Sequence, residues 1–158
     1  MSAPSLTPEQ ALQKIRHYCA YQERCHSEVK EKLYGFGLHK SDVEKIIGSL
    51  IEDDFLNEER FAIQFTGGHF RMKKWGRVKI KYALRQKKVS EYCIKKALNT
   101  IDEDDYAQTL AALIAQKLKT LKAQKNMFIR KRKMQDFLTQ KGFESDLIFS
   151  ALRNFEKK

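Results

Sequence analysis

Apolar residues recur along this chain every three or four positions, and strict apolar–polar alternation is nearly absent. That period belongs to helices with one buried face, so the chain reads as all-α. Thr7-Pro8-Glu9-Gln10 has the form of a helix start: Thr as cap, Pro in the first turn, Gln reaching back. An apolar stripe of Ala11, Leu12, Ile15, Tyr18 and Cys19 follows. A second helix is expected after Ser27, with Val29 and Leu33 inward, stopping at Gly35-Phe36-Gly37. Ser41 and Glu44 read as a capping box opening a third helix that carries Val43, Ile46, Ile47 and Leu50.

The same plan returns twice. Leu33, Leu84 and Leu138 each sit near the end of a middle helix, and Leu38, Val89 and Phe143 each follow a short turn. Val43, Ile94 and Ile148 come next, then Ile47, Leu98 and Leu152. Subtraction gives 51 residues from Leu33 to Leu84 and 54 from Leu84 to Leu138. Ala11, Ala62 and Ala107 fall on the apolar faces of the opening helices. The third copy has a longer connection near Lys119–Asn126, readable as a loop or a helix extension. The expected architecture is a tandem array of three three-helix repeats, 8–54, 55–102 and 103–156. Each unit is too small to bury much apolar area alone, so neighbours should lean on one another in an elongated, curved array.

The densest stretch is Asp53–Leu84. Asp53, Asp54, Glu58 and Glu59 sit where a helix should begin, favouring the positive end of its dipole. Arg60-Phe61-Ala62, Phe65 and His69-Phe70 then recur at helical spacing. Trp75-Gly76 breaks the pattern, and a new helix starts with Arg77, Lys79 and Lys81 on its wet side. Gly67-Gly68 is a departure inside the preceding helix, suited to a kink or a close neighbour.

An acidic turn (Asp53-Asp54), then Arg60-Phe61-Ala62, then a basic stretch (Arg71 to Lys74) ending in Gly76, then another amphipathic helix, closely resembles the signature of the RecX regulators of the RecA recombinase. The resemblance covers nearly the whole chain in pattern and is most specific in the middle repeat. The family usually has larger residues where this chain has Gly67-Gly68. The resemblance implies tandem three-helix repeats and a non-enzymatic regulator. Such a regulator binds RecA filaments on DNA and restrains ATPase, strand-exchange and coprotease activities, with effects on recombination and DNA repair.

Charge sharpens this expectation. The 158 residues hold 31 Lys+Arg against 20 Asp+Glu, a net +11, with a sequence pI near 9.6. Eleven basic residues lie between Arg71 and Lys96, with Glu91 the one acid among them. Eight more lie between Lys117 and Lys133 with no acid at all, whereas Glu28–Glu59 holds nine acids against Lys30, Lys32, Lys40 and Lys45. Runs of one sign repel along a helix and point to an external anion, for which a phosphate backbone is the best fit. The bland alternative for any one lysine is a solvated helix face. The candidate RecA- and DNA-binding residues are Arg71, Lys73, Lys74, Arg77, Lys79 and Lys81 in the centre, with Arg130, Lys131 and Arg132 in the third repeat. Arg60 is read two ways, as part of the family motif and as a partner of Asp53 or Asp54 fixing the junction between repeats. Phe70 and Tyr82 read as core, and Trp75 as a ring at an interhelical corner.

Other chemistry is thin. No P-loop or dinucleotide glycine motif appears, and no Ser/His/Asp or Cys/His set can be argued. His17, Cys19, Cys25 and His26 lack the spacing of a familiar zinc finger, and Asp102–Asp105 reads as a helix cap rather than a metal cluster. No catalytic residue, metal or cofactor is expected. Three cysteines without paired spacing read as reduced thiols in a cytoplasmic protein, and MSAPSLTPEQ lacks the features of a secretory signal. No apolar run spans a bilayer. The expected partners are the RecA filament and, weakly and with salt sensitivity, single- and double-stranded DNA, with the chain acting as a monomer. A rival reading is an autonomous helix-turn-helix-like DNA-binding protein, although the candidate recognition helices begin Ser41-Asp, Ser90-Glu and Glu144-Ser-Asp, acidic starts ill suited to a groove. Another is a helical-repeat adaptor for an acidic protein, with no DNA affinity even at low salt.

Overall fold

The structure, a computed structural model, describes residues 5–156; Met1–Pro4, part of the segment read for a secretory signal, lie outside it. Among the described residues the chain forms nine α-helices and no strand. They are α1 (Pro8–Tyr21), α2 (His26–Gly35), α3 (Lys40–Glu52), α4 (Glu58–Lys73), α5 (Arg77–Gln86), α6 (Glu91–Leu98), α7 (Glu103–Thr120), α8 (Met127–Lys141) and α9 (Ser145–Glu156). The ladder read from the sequence is buried: Leu33, Leu84 and Leu138 have no exposure, and Leu38, Val89, Phe143, Val43, Ile94, Ile148, Ile47 and Leu152 are all core. Leu98 alone of this set is partly exposed.

Helix starts follow local hydrogen bonding. Thr7 and Gln10 form the expected capping box, with each backbone N–H donating to the other's side chain. α2 starts at His26, ahead of the expected position after Ser27. Glu28 accepts from the Cys25 N–H at 3.2 Å, while the Ser27 hydroxyl donates to the Lys87 carbonyl at 2.6 Å. α3 starts at Lys40 behind His39, so the Ser41 capping box does not form. Leu38 must enter the core, and the extended His39 after it brings the helix start forward. Asp53 and Asp54 do not cap α4 either. Asp53 ends α3, Asp54 takes a left-handed φ of 63°, and Asn57 accepts from the Arg60 N–H at 2.9 Å. Asp102 does cap α7, accepting from the Asp105 N–H at 3.0 Å. Near Lys119–Asn126 both expectations hold in part: α7 runs on to Thr120, and a turn then leads to Asn126, which caps α8.

Two inward assignments change. Ala107 is exposed, and Tyr106, the fourth residue of α7 as Ala11 is of α1, is buried instead. Tyr82 is 65% exposed, because Ile80 and Leu84 take the inward side of α5 and a residue two places from each faces away. Phe70 is core, as read. Gly67-Gly68 does not interrupt α4. A Cβ at Gly68 would meet nothing, and one at Gly67 would meet only the guanidinium of Arg71.

The chain divides into two compact units. The first holds the described chain up to Phe65 together with Leu84–Ala97. In it α1, α2 and α3 pack mutually around Ala11, Ile15, Val29, Leu33, Val43, Ile46, Ile47, Leu50 and Leu56. The second holds Thr66–Ala83 together with the described chain from Leu98 onward. There α7, α8 and α9 pack mutually, and Tyr106 lies against Phe70 and Phe143 with ring centroids 5.8 and 5.0 Å away. The division falls within α4 and α5 and at the last residue of α6, Leu98.

Candidate functional site

The motif Asp53-Asp54…Arg60-Phe61-Ala62 builds a structural node in the first unit. Phe61 and Ala62 are core, and Phe61 lies 5.7 Å from Phe65, ring to ring. Turning them inward leaves the preceding Arg60 at the rim. Its Nε donates to Glu23 at 2.6 Å and its terminal nitrogens reach both the carboxylate (3.2 Å) and the carbonyl (3.1 Å) of Asp54. The hydrogen bond to Glu23 leads the causes that hold its pKa above the ordinary arginine value. Of the two partners proposed from sequence, Asp54 is one; Asp53 instead pairs with Arg16 at 3.5 Å. Glu23, distant in sequence and outside any motif, was not legible as the main partner.

A second node lies in the second unit where α5 begins. The Gly76 N–H donates to the Lys141 carbonyl at 2.7 Å, and the Val78 N–H to the Gly142 carbonyl at 2.9 Å. The bare amides at the head of α5 thereby take carbonyls from the tail of α8, so the positive end of one helix dipole meets the negative end of another. Such an approach leaves no room for a side chain. A Cβ at Gly76 would fall 2.4 Å from the Gly142 oxygen, and Gly142, at φ 95°, would set its own against Lys79.

Arg77 follows, and it is not on the wet side of α5. Its side chain is 20% exposed, with Nε donating to Glu144 at 2.7 Å and a terminal nitrogen to Glu103 at 2.9 Å. The guanidinium also lies 3.9 Å from the Tyr106 ring. Burial opposes its charge, but Glu144 and Glu103 outweigh that, and its pKa stands above the ordinary value. The Arg77 N–H donates to the Tyr106 hydroxyl at 2.9 Å, and that hydroxyl donates to Glu144. Burial and the Glu144 hydrogen bond push the Tyr106 pKa upward. Tyr106, Glu144, Glu103 and Gly142 were all missed as site residues; only Gly142 left a trace, standing 54 places after Lys88 and 105 after Gly37 in the repeat.

The remaining candidates fall into four settings. Lys73 and Lys79 gather about Trp75, 5.4 and 4.7 Å from its ring, with His69 against the same ring at 4.6 Å. Arg71 and Lys74 line an open cleft against α7. Lys81 is partly exposed on α5. On α8, Lys131 and Arg132 are exposed, while Arg130 is partly buried, its Nε without a hydrogen-bond partner. Arg130 and Lys131 border an apolar cleft with Ile114, Leu118, Met127, Met134 and Leu152. Lys79 also donates to the Gln140 carbonyl at 3.3 Å, which places it roughly 12 Å along α8 from Arg132 at the usual helical rise.

Cys19, Cys25 and Cys93 are buried free thiols; burial pushes the first two above the ordinary thiol pKa. Among the described residues no group of three His, Cys, Asp or Glu is placed to hold a metal ion, and no helix is long and apolar enough to cross a membrane.

Family models match in two places: the second three-helix domain of RecX at residues 57–98, and the third at 103–152. Together they cover more than half of the chain. The chain belongs to the RecX family. It is 30% identical over 142 residues to the regulatory protein RecX of Prosthecochloris aestuarii, covering 90% of this chain and 91% of that one. It is 32% identical over 127 residues to the regulatory protein RecX of Clostridium perfringens, where it spans 59% of the relative's length. The crystal structure of RecX from Lactobacillus salivarius superposes with a TM-score of 0.85 over 96% of this chain and 97% of that one, at 22% identity, and so shares its fold. RecX is a family of regulatory proteins, and the all-helical architecture expected from the sequence is the one this family has.

Proposed function

We propose that this chain regulates homologous recombination by binding RecA–DNA filaments and inhibiting the recombinase's ATPase, strand-exchange and coprotease activities. In this reading it acts as a cytoplasmic monomer without catalysis of its own, and three modules, 8–54, 55–102 and 103–156, touch successive places along the filament. Membership of the RecX regulatory family supports the reading most directly. The second support is the supply of cations outside the ion pairs. Arg71, Lys73, Lys74, Lys81 and Arg132 have no acidic partner within 4.0 Å among the described residues, leaving them for phosphates or acidic loops. Several weak contacts held in one chain add through effective concentration. Arg77 and Arg60 serve differently, holding the modules' shape through their carboxylate partners.

The acidic first turns of α3, α6 and α9, with Asp42, Glu91 and Asp146, oppose the alternative of a recognition helix seated in a DNA groove. The decisive experiment is RecA-driven, single-strand-dependent ATP hydrolysis with this protein well below equimolar. Inhibition is expected. Unchanged hydrolysis together with sequence-selective duplex binding would replace this reading with the DNA-binding one.

A further inference from the structure

We propose that the cleft between the end of α4 and the outer face of α7 seats one unstacked nucleotide of a single DNA strand. The proposal rests on the reading of a DNA-bearing filament as partner and names the part of the DNA that one site takes. The cleft lies wholly within the second unit and has a volume of about 450 Å³. Arg71 and Lys74 stand on one wall; Gln108, Thr109 and Gln116 stand on the other, with Phe70, Ala112 and Leu113 also lining it.

Each class of group has a counterpart in a nucleotide. The two cations meet a phosphodiester, and neither has an acidic partner within 4.0 Å among the described residues, although Asp105 shares the cleft. Gln108, Thr109 and Gln116 donate and accept, as base edges require, and Asp105 accepts from a ring imide N–H such as that of thymine. Ala112 and Leu113 offer the base an apolar surface. A cleft of about 450 Å³ has room for an unstacked nucleotide, whereas a paired base is held within its stack, so the cleft favours single strands over duplex.

One backbone feature agrees. Gly67 lacks a Cβ where one would stand 2.8 Å from the Arg71 guanidinium, so the missing side chain gives Arg71 room to fold back along α4 beside the cleft.

The test is fluorescence anisotropy of the full chain with a labelled oligothymidylate and, separately, a labelled hairpin duplex, with no recombinase present. Ala112 is exposed on α7, so A112W fills the cleft without removing a charge or a core contact. A112W should weaken oligothymidylate binding about tenfold by keeping the base out of the cleft, and leave duplex binding within about twofold. A second variant, Q108A/Q116A, should weaken oligothymidylate in the same selective way. Oligothymidylate binding unchanged in both variants, or lost equally with duplex binding, overturns the proposal. Because RecA is absent, such a failure leaves the ATPase result standing, and a failed ATPase inhibition leaves the anisotropy result standing.

Discussion

The hydroxyl of Tyr106 does two jobs at once: it accepts the Arg77 N–H and donates to Glu144, in a place where no water replaces either partner easily. Its pKa is raised by burial and by Glu144, so its protonated form stabilises the fold. That contribution is complete below the ordinary tyrosine pKa of about 10 and is lost as pH rises through the higher folded value. Y106F should cost about 2 kcal/mol at neutral pH and flatten the loss of stability on the alkaline side. Urea melts taken from neutral to strongly alkaline pH check this; an alkaline limb identical in both proteins would exclude Tyr106 as its source. At the same scale, Gly37, Lys88 and Gly142 occupy matching turns with φ of 86°, 63° and 95°. Only Lys88 carries a Cβ in that left-handed well, so K88G should stabilise by about 0.5–1 kcal/mol, read as a shift in denaturation midpoint. A lower midpoint would show that Lys88 gains more from its surroundings than the backbone loses. Sequence spacing exposes this turn, since the three positions repeat at 51 and 54; the pairing of Tyr106 with Glu144 leaves no such mark.

At the scale of elements, the head of α5 and the tail of α8 supply each other's missing hydrogen-bond partners. This gives Gly76, read in the sequence as part of a family motif, a physical reason. G76A drives a methyl into the Gly142 carbonyl and should cost about 3 kcal/mol, measured by chemical denaturation. A loss below about 0.5 kcal/mol would mean that the two helix ends separate freely, contrary to the direct hydrogen bonds between them. Within α4 the contrast is plain: a methyl at Gly68 meets open space, so glycine there is not required by packing. The helices themselves were legible, because burial at every third or fourth place is a local pattern. Their first residues were less so at α2 and α3, where a core leucine and a carbonyl from another turn outbid the nearest serine.

For the whole molecule, the net charge of +11 has to be divided between cations that hold the fold and cations that face outward. R77E places a third acid beside Glu103 and Glu144 and should cost about 3 kcal/mol or more, as expected for breaking a largely buried ion pair. K81E/R132E should keep stability within about 0.5 kcal/mol while reducing binding to oligothymidylate and its dependence on salt. Circular dichroism melts run beside anisotropy separate the two classes; equal damage to folding in both variants would erase the distinction. Composition revealed the excess of charge, but each arginine's duty depends on which acids the folded chain brings to it.

The sequence by itself determined the helical period, the buried ladder, the short turns after the middle helices and the concentration of positive charge, since each is a property of neighbours along the chain. The tertiary structure alone decided that Arg77 is committed to Glu144 and Glu103, 67 and 26 residues away, and that α8 ends where α5 begins. Partners so far apart obey no period. They are set by which surfaces meet once the apolar faces are covered.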